Sequence, residues 1–466
     1  MLSNFVPRGG LYTGMSGKSV LQAPAASSAA ATSSTHLRGW LTSAVVVLLV
    51  VFAANQFATE WATFRSSAYP AGSAVDFPHY YVAAKLAGSA NPREHQLYYP
   101  TQENKEAVLS RIPPDTEWNQ VAHQNGLGDT LHFSAPPIIA ALLVPLGKLP
   151  YQLAFMVWRV LTDFVFFLAL WICLKLCRAF SPVTLLICTL AGFAFQPFLL
   201  TLEKGQFGAL LLLTWSAGVL FADKKQDVLS ALMLALGTIV KLTPVLAVGV
   251  FLVRRRWKWL AAYALWMAVL MGIGVWHLGV ENHRLYLAKL TSLSCGAPGP
   301  YNYSLPGIVQ NAYYRDLLNY DQIPAQTPAG LCAFNKVLGF AVYLAVLAFL
   351  VKKNQRGDII WDLVILSLIT LLIAPFTWRH YYVLEILPLM FVWFLLIAGR
   401  FSHPRWVLSV AIICTLVAGT RYPDYLQPHL TNGPIRVFLV ALLPLSALIL
   451  MATLLFAYKP EPEPQA

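Results

Sequence analysis

Runs of about 17–25 apolar residues, separated by short polar gaps, recur from Leu41 almost to the C-terminal tail. They limit the fold more than any other feature, since that length crosses about 30 Å of hydrocarbon at about 1.5 Å per residue. Backbone inside lipid must satisfy its own hydrogen bonds, so such segments fold as helices. Composition agrees: 57% of the 466 residues are hydrophobic, 12% are charged, and the mean hydropathy is +0.59. That leaves too little polar surface to cover a water-soluble domain. The expected fold class is an all-α polytopic membrane protein.

With the N-terminus inside, spans are expected near 40–58, 134–149, 151–174, 182–200, 207–222, 228–252, 259–280, 334–351, 359–376, 383–399, 406–420 and 437–457, which makes twelve crossings. The formal net charge of +12 sits in the gaps, as in Arg254, Arg255, Arg256 and Lys258, or Lys352, Lys353 and Arg356. Such clusters mark cytoplasmic loops and not a nucleic-acid surface. The parity puts both clusters inside, together with Arg400 and Arg405, and leaves two long polar loops outside, 59–133 and 281–333. Lys175 with Arg178, and Lys224 with Lys225, dissent by falling outside. Moving them inside requires 228–253 to be a hairpin of half-helices broken at Lys241-Leu242-Thr243-Pro244, and 134–174 to break near Leu149-Pro150. Both are allowed where broken backbone lines a cavity.

Residues 1–38, rich in Ala, Ser, Thr and Gly, read as a disordered cytoplasmic segment, 39–457 as one transmembrane domain, and the Pro- and Glu-rich 458–466 as a disordered tail. No small-residue cleavage site follows the run Leu41 to Ala58, so it is expected as a retained helix. In the first outer loop, Pro78 to Leu86 reads as a short helix and Gln102 to Arg111 as an amphipathic one lying on the membrane surface.

Candidate chemistry gathers on the outer side. Asp76, before Phe77-Pro78, suits a helix N-cap, and equally a general base kept ionised at a water–lipid boundary beside a positive helix end. The segment Phe376 to Tyr382 puts Trp378, Arg379 and His380 at the outer end of a span; an interfacial belt explains the aromatic and Arg residues but not the histidine. Charges inside apolar stretches are expensive and must pair or face a cavity. Arg159 and Asp163, one helical turn apart, read as a pair. Lys241 has no acidic partner at helical spacing and suits either a lipid phosphate or snorkelling to the membrane edge. Glu385 is placed either to orient His380 or to meet a basic residue on another helix. Cys173, Cys177, Cys188 and Cys414 lie in apolar surroundings, whereas Cys295 and Cys332 share the second outer loop, as a disulfide or as separate thiols. The sequence has no Gly-rich phosphate loop, nucleophile elbow, metal-ligand spacing or paired-carboxylate signature for a soluble sugar nucleotide. An enzyme here would take its donor from the membrane, and a polyprenyl phosphate sugar needs neither a cofactor nor a metal.

Several segments together resemble the bacterial glycosyltransferase family 87, polyprenol-phosphate-sugar-dependent enzymes of the GT-C membrane fold. The resemblance spans about residues 76 to 390. It is carried by Asp76-Phe77 with Tyr80-Tyr81 and Ala83-Ala84, Leu97-Tyr98 with Pro100, Ser134-Ala135-Pro136-Pro137, Leu149-Pro150-Tyr151 with Ala154-Phe155, Gly205-Gln206, Lys241-Leu242-Thr243-Pro244 before Arg254 to Trp257, and Pro375 with Trp378 and His380. Tyr381 stands where the family often has a second histidine, and Phe133-Ser134 replaces a Tyr-containing lead.

The resemblance implies that Asp76 is the catalytic base and that His380 lies near the donor phosphate. Arg379, Lys241, Gln206, Trp378, Tyr80 and Tyr81 complete the expected donor and substrate contacts. The implied reaction moves mannose or another hexose, with inversion, from a polyprenyl phosphate to a glycan or glycolipid. The implied setting is a bacterial inner membrane with the site facing the periplasm or cell exterior. A twelve-helix secondary transporter of a small solute or lipid-linked sugar is the alternative from another class, although no internal repeat relates the halves; a membrane acyltransferase, with a different histidine partner set, is a third reading.

Overall fold

The computed structural model describes residues 58, 76–99, 112, 115–128, 133–296, 298, 301–315, 327–353, 358–420 and 433–457. The expected span 40–58, apart from residue 58, the helix Gln102 to Arg111 and the two terminal segments lie outside them. Among the described residues the chain is helical without strands.

A small layer precedes the bundle. It contains α1 (Phe77–Ala87), α2 (Glu117–Gln124), α3 (Pro137–Leu142) and α4 (Val144–Gly147). Helix α1 is buried almost all round. It lies so close to α4 that a Cβ on Gly147 would stand 2.8 Å from the Ala84 carbonyl carbon, which is why a side chain is excluded there.

The bundle follows: α5 (Tyr151–Leu176), α6 (Pro182–Phe193), α7 (Gln196–Lys204), α8 (Gly208–Asp223), α9 (Asp227–Val240), α10 (Ala247–Val253), α11 (Trp257–Leu293), α12 (Leu305–Tyr313), α13 (Ala329–Lys353), α14 (Ile359–Ile373), α15 (Ile386–Ile397), α16 (Pro404–Gly419) and α17 (Gly433–Ala457). Short 3-10 turns, Thr243–Leu246 and Arg379–Glu385, lead into α10 and α15. Among the described residues, five helices are long and apolar enough to cross a membrane: Tyr151–Leu176, Trp257–Thr291, Ala329–Lys352, Arg379–Ile397 and Pro434–Ala457. The pair α6 and α7, bent by 62°, passes the same test as one span, and α8, α9, α14 and α16 are shorter apolar helices. The chain is a multi-pass membrane protein.

Contacts show which helix ends lie together. Trp158 Nε1 donates to the Gly205 carbonyl at 2.9 Å, while Cys173, further along α5, meets Ser216, further along α8. Helices α5 and α8 therefore run in the same direction, and Lys175 with Arg178 lies at the same end as Lys224 with Lys225. Arg256 pairs with Asp227 and donates to the Ala222 carbonyl at 2.9 Å. Arg254 pairs with Asp362 at 2.8 Å, Phe349 meets Phe456, and Ser402 N–H donates to the Ala457 carbonyl at 3.1 Å. These links gather the 175–178, 224–225, 254–258, 352–353 and 400–405 clusters at one basic end. The two dissenting clusters join the others, contrary to the twelve-crossing parity.

The reason is that two of the twelve expected spans do not cross. Helix α9 stops at Val240 because the Pro244 ring would collide with the carbonyl four residues back; Lys241 is extended (φ −148°, ψ 128°), and α10 returns to the basic end. Segment 134–149 breaks into α3 and α4. Both of its ends touch the small layer that precedes the bundle, where Tyr98 OH donates to the Ala135 carbonyl and Tyr81 OH to the Leu149 carbonyl. The expected span 259–280 also extends further, through Gly279 (φ 78°), into loop residues up to Leu293.

Candidate functional site

At the end of the bundle opposite the basic clusters, α7 closes on Gly205, which takes the left-handed conformation (φ 68°). Gly205 N–H donates to the Leu202 carbonyl and Gln206 N–H to the Thr201 carbonyl at 2.8 Å, the paired bonds of a glycine-terminated helix. A Cβ on Gly205 would stand 2.5 Å from Phe77 Cβ, so only glycine lets α1 begin here. The turn thus delivers the Gln206 side chain to the start of α1.

Asp76 is the residue that precedes α1, but its side chain makes no capping hydrogen bond. Gln206 instead hydrogen-bonds the carboxylate and accepts from Tyr80 OH at 3.1 Å. The amide therefore donates to Asp76 through nitrogen while its oxygen is held by Tyr80. Burial raises the Asp76 carboxyl above its ordinary range, and the Gln206 hydrogen bond and the nearby Lys204 charge pull it back. A half-buried carboxylate with an oriented partner and a cation close by is suited to accept a proton.

His380 lies on the adjoining strip. Ala374, at the end of α14, is extended (φ −59°, ψ 141°), as expected before Pro375. The strip then turns into the 3-10 segment Arg379–Glu385. Asn302 fixes its start by donating to the Pro375 carbonyl at 2.9 Å and accepting from Thr377 N–H at 3.1 Å. Tyr303 N–H donates to the Thr377 carbonyl at 2.7 Å, and Tyr382 OH to the Tyr303 carbonyl at 2.8 Å. His380 is 6% exposed, and its Nε2 has no hydrogen-bond partner among the described residues. Lys241 and Lys204 both act on it electrostatically. Arg379 is buried beside it.

Lys241, at the break between α9 and the 3-10 turn, places its ammonium over the Tyr381 ring at 3.7 Å from the centroid. With Thr243, Thr370, Thr377 and Tyr381 it lines a small cavity. The sequence-chosen Asp76, Gln206, Tyr80, His380 and Lys241 thus come together from the start of α1, the turn after α7, the end of α9 and the 379–385 turn, with Arg379 next to His380 in the chain.

Two chosen residues do not join them. Tyr81 OH donates to the Leu149 carbonyl at 2.7 Å and to Asn125 at 3.2 Å, and so ties α1 to α2 and the α4–α5 junction. Trp378 stacks on Tyr301, with ring centroids 6.0 Å apart. Glu385 accepts from Ser446 Oγ at 3.4 Å on α17 and is turned toward that helix, not toward His380. Arg159 and Asp163 stay within electrostatic reach of each other. Cys295 and Cys332 form a disulfide, with Cα atoms 4.6 Å apart, beside the strip that carries His380. Lys204 and Tyr381 also stand at the site, although neither is among the chosen residues: Lys204 pairs with Glu203 at 3.1 Å, and Tyr381, which stands where the family often has a second histidine, meets both Lys241 and His380.

The profile of glycosyltransferase family 87 matches residues 133–375. The chain belongs to glycosyltransferase family 87. Its all-α polytopic architecture is of the GT-C type that this family implies. Curated relatives include two proteins named polyprenol-phosphate-mannose-dependent alpha-(1-2)-phosphatidylinositol pentamannoside mannosyltransferase. The one from Mycobacterium tuberculosis is 28% identical over 267 residues, 56% of this chain and 58% of the relative. The one from Mycolicibacterium smegmatis is 25% identical over 269 residues, 57% and 61% respectively. The chain thus spans about three-fifths of the length of these relatives. The family match begins after Asp76 and ends before Trp378, so the roles given to Asp76 and His380 rest on geometry.

Proposed function

We propose that this family 87 protein is an inverting hexosyltransferase that moves mannose from a polyprenyl phosphate to a glycolipid acceptor at the outer face of the membrane. The observation that carries the reading is Asp76, a carboxylate at a helix start that is not used as a cap and is held by Gln206 opposite Lys204, Lys241 and His380. Asp76 takes the proton from an acceptor hydroxyl as that oxygen attacks the anomeric carbon from the face opposite the phosphate. The carbon–phosphate oxygen bond breaks, and the lipid phosphate leaves with the electron pair. Lys241, His380 and Arg379 offset the charge that grows on it, each donor of this kind contributing about 3–4 kcal/mol. The reading needs no metal, because a single phosphate leaving group can be neutralised by cationic side chains. The relatives' names support mannose as the sugar and a phosphatidylinositol mannoside as the class of acceptor. The gathering of basic clusters at the opposite end of the bundle supports an outward-facing site in an inner membrane, by the positive-inside rule.

The test is transfer of radiolabelled mannose from polyprenyl phosphate mannose to a phosphatidylinositol mannoside by purified wild type and Asp76→Asn. Wild type is expected to transfer, and Asp76→Asn to lose about 10²–10⁴-fold with unchanged thermal unfolding. Equal activity in the two would remove Asp76 from the chemistry, and no transfer from any polyprenyl phosphate sugar would favour transport.

A further inference from the structure

Tyr381 occupies the centre of the cluster without a role in the reaction as described. Its ring carries the Lys241 ammonium on one face at 3.7 Å, and the His380 ring meets it edge-on at 4.2 Å. Asp76 and Tyr80 both act on it electrostatically, so it stands between the carboxylate side and the lysine side of the site. Lys241 has no carboxylate within ion-pair distance among the described residues, and its backbone is extended at a helix break. A long side chain leaving such a break has many rotamers, and a partly desolvated ammonium needs a partner. An aromatic face supplies one without neutralising the charge, as a carboxylate would.

We infer that Tyr381 is a positioning residue whose ring face holds the Lys241 ammonium at the cavity wall, aimed at the phosphate of the lipid donor. This rests on the polyprenyl phosphate reading above. The ring carries the effect and the hydroxyl does not.

The experiment measures binding of a sugar-free polyprenyl phosphate to the purified full chain, with mannose transfer followed in parallel, for wild type, Tyr381→Leu, Tyr381→Phe, Lys241→Gln and the double variant Tyr381→Leu/Lys241→Gln. Tyr381→Met replaces the leucine variant if that one does not fold. Tyr381→Leu is expected to weaken binding about 10-fold, and Tyr381→Phe to restore it. The double variant is expected to bind no more weakly than Lys241→Gln alone, because the ring acts only through the lysine. Wild-type binding by Tyr381→Leu, failure of Tyr381→Phe to restore binding, or losses that multiply in the double variant would each overturn the inference. Wild-type binding without mannose transfer overturns the proposed function alone, and no wild-type binding overturns both.

Discussion

Asp76 and Gln206 are 130 positions apart in the chain, and their hydrogen bond decides how the carboxylate titrates. Burial favours the protonated acid, while the donated amide hydrogen and Lys204 favour the anion. Because burial is the larger effect, the acid limb of kcat/KM for transfer is expected at higher pH than an ordinary aspartate would give. In Gln206→Leu the donor that stabilises the anion is gone, so the pKa rises and the limb moves to still higher pH. A pH–rate profile of the two proteins checks this, and a limb that stays or moves down refutes the assignment. Asp76, His380 and Lys241 stood out in the sequence because each is a polar group whose place at a helix end or in an apolar run calls for a reason, whereas Gln206 and Tyr80 were named only through the family resemblance. Lys204 did not stand out: with Glu203 beside it, its charge is already explained locally, and only the fold shows that it also faces Asp76 and His380.

At the scale of elements, the site depends on three interruptions: the left-handed turn after α7, the break before Pro244, and the extended strip after α14. The Gly205 turn has the least tolerance, since a side chain there meets both a positive φ and Phe77 Cβ. Gly205→Ala is expected to cost about 1–3 kcal/mol and to lower the thermal unfolding midpoint and the transfer rate together, by moving Gln206 away from Asp76. Gly272→Ala is the control, because a Cβ there meets nothing within 4 Å; a helical alanine is expected to be neutral or mildly stabilising. Unfolding in detergent followed by a thiol- or tryptophan-based probe distinguishes them, and equal midpoints would show that the close approach at Gly205 relaxes at no cost. Sequence reading found these places through Gly205-Gln206, Pro244 and Pro375 but could not orient them. Whether a proline kinks a continuing helix or turns the chain back depends on partners distant in sequence, here Asp227 for Arg256 and Tyr343 for the Leu246 carbonyl.

For the whole molecule, charge and hydropathy gave the membrane class and most helices, but left the path through the middle open between twelve crossings and a returning hairpin. An apolar run of 228–252 has the length of a span, and length alone cannot distinguish one crossing from two half-helices that return. The positive clusters held the distinguishing information, because Lys175, Arg178, Lys224 and Lys225 fitted only the returning path. Arg256, paired with Asp227 and bonded to the Ala222 carbonyl, draws the 254–258 cluster to the 224–225 turn. Both must then face the same compartment, which by the positive-inside rule is expected to be the cytoplasm. Single cysteines test this in cells. Lys224→Cys and His123→Cys both replace exposed side chains, one at the basic end and one in the layer beside Asp76. A membrane-impermeant maleimide is expected to label His123→Cys on intact cells, and Lys224→Cys only after the membrane is opened. Labelling of both from outside would restore the twelve-crossing path and separate Lys224 from the cytoplasmic clusters. Labelling of Lys224→Cys alone would invert the molecule and place Asp76 with the cytoplasmic donors, against an outward-facing transferase.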